Sequence, residues 1–155
     1  MTTDHLGVTM LELNACWELL RQTDVGRLAV SIGDHPELFP INFVVDHGTI
    51  VFRTAEGTKL AAAVPGRFVA FEIDGYDAAG GDAWSVVIKG RAVEIERKQD
   101  LFDALDLPLF PWHASPKHRF VRIEPDDVSG RRFHVVDRSA WEITPRTTVL
   151  RGDDS

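Results

Sequence analysis

The stretch Thr49-Ile50-Val51-Phe52-Arg53-Thr54-Ala55-Glu56-Gly57-Thr58-Lys59-Leu60-Ala61-Ala62-Ala63 decides how this chain is read. Its opening residues are β-branched or aromatic and predict a strand. A short polar segment follows with a glycine and two cations, Arg53 and Lys59, and then a run of small residues that starts a helix. This layout suits an anion, because hydroxyls, fixed positive charge and the free N–H groups of a helix start converge. The pattern GxxxxGK[ST] is absent, so this is not a Walker loop. A phosphate held here belongs to a cofactor carried on a β scaffold.

On the N-terminal side, residues 26–32 and 38–45 read as strands separated by a turn at Gly33-Asp34-His35-Pro36. Asp46-His47-Gly48 makes a tight turn into the strand 49–54, which predicts a hairpin. Leu13, Cys16, Trp17 and Leu20 fall on one helical face, so a helix is expected over 11–23, capped by Thr9 or Asn14. On the C-terminal side a short helix over 59–64 leads through Pro65-Gly66 to a strand at 67–74. A Gly-rich loop at 77–82 and a long strand at 83–96 follow, with Gly90 a bulge or bend. Beyond these come a short helix at 97–105, a proline-broken aromatic loop at 107–113, and strands at 119–123 and 132–136.

Six to seven strands with turns between them predict a mainly β domain, a closed or nearly closed antiparallel barrel. So small a barrel has little lumen, which puts a cofactor outside it, at a crevice or a subunit interface. One domain is expected over 1–155, with loose tails at 1–9 and 145–155.

Composition narrows the function. With 44% hydrophobic and 26% charged residues in a chain of 155, this is a globular protein with a real core. A net charge of −7 argues against nucleic-acid affinity. No apolar run approaches the roughly 20 residues that span a bilayer, and no basic, apolar leader opens the chain. A cytoplasmic protein without membrane contact is therefore expected. The single Cys16 forbids an internal disulfide, and no paired histidine spacing exists, so no metal is expected. Cys16 reads as a buried helix-face residue, not a nucleophile.

Six segments in order carry a resemblance: Trp17-Glu18-Leu19-Leu20, Val25-Gly26-Arg27-Leu28-Ala29-Val30, Pro40-Ile41-Asn42-Phe43, Val51 through Leu60, Val69-Ala70-Phe71-Glu72 and Trp84 through Ala92. Together they resemble the pyridoxamine 5'-phosphate oxidase-like family of flavin-binding split β-barrels, and in particular its short actinobacterial members. Val128-Ser129-Gly130-Arg131-Arg132-Phe133 resembles a closing strand of many members.

The resemblance implies a homodimer with FMN at the interface. It implies that Arg53, Thr54, Gly57, Thr58 and Lys59 hold the phosphate, Lys59 as the main cation and the threonines as donors. It also implies that the segment with Pro40 and Asn42 runs along the flavin ring, and that Trp84 and Ser85 reach the cofactor. The C-terminal Arg and His set that true oxidases use for pyridoxal phosphate is not found, so vitamin B6 oxidation is not implied.

Each site residue also has a plainer reading. Arg53 and Lys59 are otherwise solvated cations, Trp84 a core or interface tryptophan, and Ser85 a strand-entry serine. A mid-strand Asn42 bonds either a neighbouring strand or a flavin. Trp112 and His113 either line a substrate pocket or plug a barrel end. Taken together, the sequence predicts an FMN-dependent oxidoreductase that passes hydride between the flavin and a small substrate, with no catalytic side-chain constellation. The alternatives are the deazaflavin F420, which would want a longer basic groove, and a non-catalytic flavin- or haem-binding protein.

Overall fold

The computed structural model describes residues 2–3, 7–55, 57–95 and 118–135. The elements in chain order are β1 (Thr2–Thr3), β2 (Val8–Met10), α1 (Leu13–Arg21), β3 (Val25–Ile32), β4 (His35–Asp46), β5 (Thr49–Ala55), α2 (Lys59–Ala63), β6 (Phe68–Asp77), β7 (Asp82–Glu94) and β8 (His118–His134). Gly33-Asp34 and His47-Gly48 connect β3 to β4 and β4 to β5, and all four residues have positive φ. Such two-residue turns match the twist of the strands they join and fix the registers Ile32↔His35 and Asp46↔Thr49.

The strands run in the order β1-β2-β8-β5-β4-β3-β6-β7, and β7 also pairs with β8. Strands β3, β4, β5, β8, β7 and β6 therefore close an antiparallel ring. The barrel expected from the turn spacing is the one observed. Strands β2 and β1 extend the sheet outside the ring, along Arg131–Phe133 of β8.

Three expectations are corrected. The two strands expected at 119–123 and 132–136 are instead one seventeen-residue strand, His118–His134. Between the two expected strands β8 carries a bulge: Lys89 opposes Asp127 while the next residue, Gly90, opposes Pro125. Gly90 is needed there, since a Cβ would stand 2.1 Å from the Glu124 carbonyl oxygen. Within 1–9, expected to be loose, Thr2–Thr3 and Val8–Thr9 pair in the sheet. Their strands are too short to show a pattern. Finally, the N-cap of α1 is Glu12, which makes no side-chain cap hydrogen bond, and not Thr9 or Asn14. Thr9 is held extended opposite Arg132. The expected helix at 97–105 lies outside the described residues.

Alternate residues of each strand fill the ring: Leu28 and Val30 of β3, Phe43 of β4, Ile50 and Phe52 of β5, Phe71 and Ile73 of β6, with Val86, Ile88, Val121 and Ile123. Each such side chain contributes about 1.5–3 kcal/mol on burial. The Phe71 ring meets Phe43 edge-on, centroids 4.8 Å apart at 71°, and covers Gly26. Helix α1 packs Cys16 against Gly130, where a Cβ would stand 2.5 Å from Sγ. Cys16 is buried, as expected, and burial pushes its thiol pKa up.

Candidate functional site

The ring is split beside the phosphate-type motif. The β4–β5 ladder runs from Asp46↔Thr49 to Phe43↔Phe52 and stops. Beyond it β5 continues as Arg53-Thr54-Ala55, paired with Phe120, Arg119 and His118 of β8. The other arm of β4, His35 to Asn42, pairs with β3 alone among the described residues. Pro36 and Pro40 lie in this arm, and proline lacks the N–H that a second neighbouring strand would require.

The split gathers most of the predicted residues. Pro40 and Asn42 lie on one lip. They oppose Arg27 and Val25, on the outer face of the sheet. Asn42 Oδ1 is removed from solvent. On the other lip Arg53 alternates with the inward, buried Thr54, whose hydroxyl lies 3.5 Å from the Arg119 carbonyl oxygen. Gly57, at φ +85°, turns the chain into α2. A Cβ there would meet nothing, so conformation and not space selects glycine.

Thr58 caps α2. Its hydroxyl donates to Ala55 O at 2.7 Å and accepts from Ala61 N at 3.1 Å. The hydroxyl is thus committed to the loop. Helix α2 is only five residues long, so its dipole is small, and the side-chain cations dominate the local field. Lys59 Nζ forms an ion pair with the Glu37 carboxylate, which reaches across the split from β4. Glu37 was missed by motif reading. Its signal is parity: it continues the inward series Ile41, Phe39, where a carboxylate is out of place.

Trp84 and Ser85 lie elsewhere on the same copy. The Trp84 indole packs against the core and over Gly75, which it opposes across β6–β7. Ser85 opposes Asp74 and Arg131. Trp112 and His113 lie outside the described residues.

A second polar group occupies the outer face next to Pro40. Arg27 opposes Pro40 on one side and Glu72 on the other. Its Nη1 donates to Asp74 Oδ2 at 2.7 Å and lies 3.5 Å from Glu72 Oε1. Glu72 and Asp74 share a face, two residues apart on β6. The hydrogen bond to Asp74, then burial and the neighbouring negative charge, push Glu72 up to about 7. The same hydrogen bond and Arg27 hold Asp74 below the usual carboxylate range. Sequence reading missed this group, although Glu-x-Asp on a strand places both carboxylates on one face.

Among the described residues no cluster of three or more His, Cys, Asp or Glu is placed to hold a metal. Nor, among them, is any helix long and apolar enough to cross a membrane.

The family model described as pyridoxamine 5'-phosphate oxidase matches residues 12–132, which include both lips of the split and the Lys59–Glu37 pair. The chain is similar to the FAD binding protein from Mycobacterium smegmatis, at 40% identity and a TM-score of 0.76, over 83% of this chain and 100% of that one. It is similar to a FAD-binding protein from Mesorhizobium loti at 25% identity and a TM-score of 0.63, covering 81% and 96% of the two chains. The uncharacterized protein Rv0080 of Mycobacterium tuberculosis is 32% identical over 131 residues, 81% of this chain and 86% of that protein.

Proposed function

The chain belongs to the pyridoxamine 5'-phosphate oxidase family, and from that premise we propose that it is an FMN-dependent oxidoreductase acting on a small substrate. The observation that carries the reading is the pair of cations, Arg53 and Lys59, on the lip of the β4–β5 split, with Pro40 and Asn42 on the other lip. The donor set fits a flavin phosphate through those cations. The Thr54 and Thr58 hydroxyls are engaged with backbone, so they shape the loop around the phosphate.

When bound, the flavin supplies hydride transfer, and no side chain need act as an obligatory acid or base. The chain binds the phosphate through Lys59 and Arg53 and orients the ring along Pro40 and Asn42. A second copy completes the site at an interface. Trp84 and Ser85, across the ring from the split in one copy, contribute in this reading to the partner's side of the interface. Trp112 and His113 cover the substrate.

A second reading has FAD in place of FMN, and the 40% identical protein known as FAD binding favours it. The test is the absorption spectrum of purified protein, followed by mass spectrometry of the released cofactor. Flavin bands near ~370 and ~450 nm with the mass of FMN are expected. The mass of FAD selects the second reading. A deazaflavin, a haem Soret band or no chromophore after incubation with flavin overturns both. Oxidoreductase activity is then tested by whether a screened small substrate reoxidises or reduces the bound flavin.

A further inference from the structure

We propose that Glu37 is a built-in competitor for the ligand phosphate. It holds Lys59 across the split when the phosphate is away and releases it when the phosphate binds. This rests on the phosphate reading above and concerns the regulation of that same site.

Three observations carry it. The Lys59 ammonium is already ion-paired with Glu37. The pair bridges the two sides of the split, since Glu37 belongs to the arm of β4 that β5 has left and Lys59 follows the end of β5. Finally, Glu37 is the more enclosed partner, with 30% of its side chain exposed against 59% for Lys59. The lysine is therefore the freer arm of the pair.

One ammonium can donate to two anions, but a carboxylate and a phosphate around the same nitrogen repel each other at a few ångströms. Binding a phosphate therefore requires Lys59 to leave Glu37, or Glu37 to turn away. Either way the affinity is lowered by the strength of the existing pair. For a partly exposed ion pair that amounts to about two- to fivefold. The consequence is a site that does not stand open as a bare cationic cleft. In the absence of ligand the pair ties α2 to β4, and exchange of the cofactor trades one anion for another.

The test titrates FMN and riboflavin into the full chain, stripped of any ligand, and follows flavin fluorescence. The variants are Glu37→Gln, Glu37→Ala as a second form should the first fold poorly, Lys59→Ala and the double change. Glu37→Gln is expected to tighten FMN about two- to fivefold and to leave riboflavin unchanged. The gain should disappear when Lys59 is already Ala. Equal tightening of both ligands, or an FMN affinity unchanged or weakened while Lys59→Ala still costs tenfold or more, would overturn the competitor and leave the phosphate reading standing. If Lys59→Ala weakens FMN and riboflavin alike, or neither, the phosphate reading itself fails, and the competitor with it.

Discussion

A Cβ on Gly75 would stand 2.3 Å from Cζ2 of Trp84, because the indole lies over the glycine opposite it in the β6–β7 ladder. Gly75 is not among the residues with positive φ, so alanine there is opposed by the indole and not by the backbone. Gly75→Ala should lower stability by about 1–3 kcal/mol, read by urea denaturation, as overpacking does. The same variant separates the two readings of Trp84. An indole that reaches a cofactor will change flavin affinity when displaced, whereas a purely structural indole will change only the midpoint.

The Glu72–Asp74 pair predicts a pH dependence of folding. Glu72 holds its proton up to about 7 in the fold, against 4.5 for an unperturbed side chain. A raised carboxyl pKa contributes stability below the unfolded value and loses it as pH rises through the folded one. Stability should therefore fall between about pH 4.5 and 7. Asp74 acts oppositely, and only in acid below its ordinary 3.8. Because Glu72 is 39% exposed, solvent screening limits the effect to about 1 kcal/mol. Glu72→Gln mimics the protonated form and should flatten this part of the profile. A variant that loses as much stability as the parent between pH 5 and pH 8 would assign the loss to other groups.

Thr58 serves the loop before it serves any ligand. Removing its hydroxyl uncaps Ala61 N and leaves the Ala55 carbonyl only its backbone bond from Thr58 N, so Thr58→Ala should cost about 1 kcal/mol while Thr58→Ser should cost little. If the cap also positions Lys59, the next residue, Thr58→Ala should weaken FMN more than riboflavin. Calorimetric melting and flavin titration on the same samples check both effects.

The barrel and the motif were legible for different reasons. Thr49–Phe52 and the Asp46-His47-Gly48 turn obey local rules, so hairpin and helix start follow from residue type alone. Strand β8 was hidden because proline and two aspartates look like a loop, and only the partner strand with Gly90 shows that the ladder tolerates an extra residue. The split itself is a register fact. No residue announces that β5 leaves β4 after Phe52, although Pro36 and Pro40 are consistent with a strand that lacks a second neighbour. Glu37 and Lys59, 22 positions apart, meet only because the hairpin and α2 fold them together. Arg27 and Asp74, separated by 47, meet only through the β3–β6 pairing.

The outer face beside the split also predicts the assembly. Leu38 is 63% exposed and Val25 37%, and both lie on the same face as Pro40 and Asn42. Apolar side chains flanking a half-built site are what a second copy would cover. Trp84 packs against the core, so the exposed apolar surface beside the split comes from Leu38 and Val25. Leu38→Glu places a charge in the proposed interface and should convert the dimer to a monomer by sedimentation. If the proposed interface site is right, flavin should be lost in the same step. A Leu38→Glu monomer that binds FMN as tightly as the parent would show that one copy suffices, and the interface site would have to be abandoned.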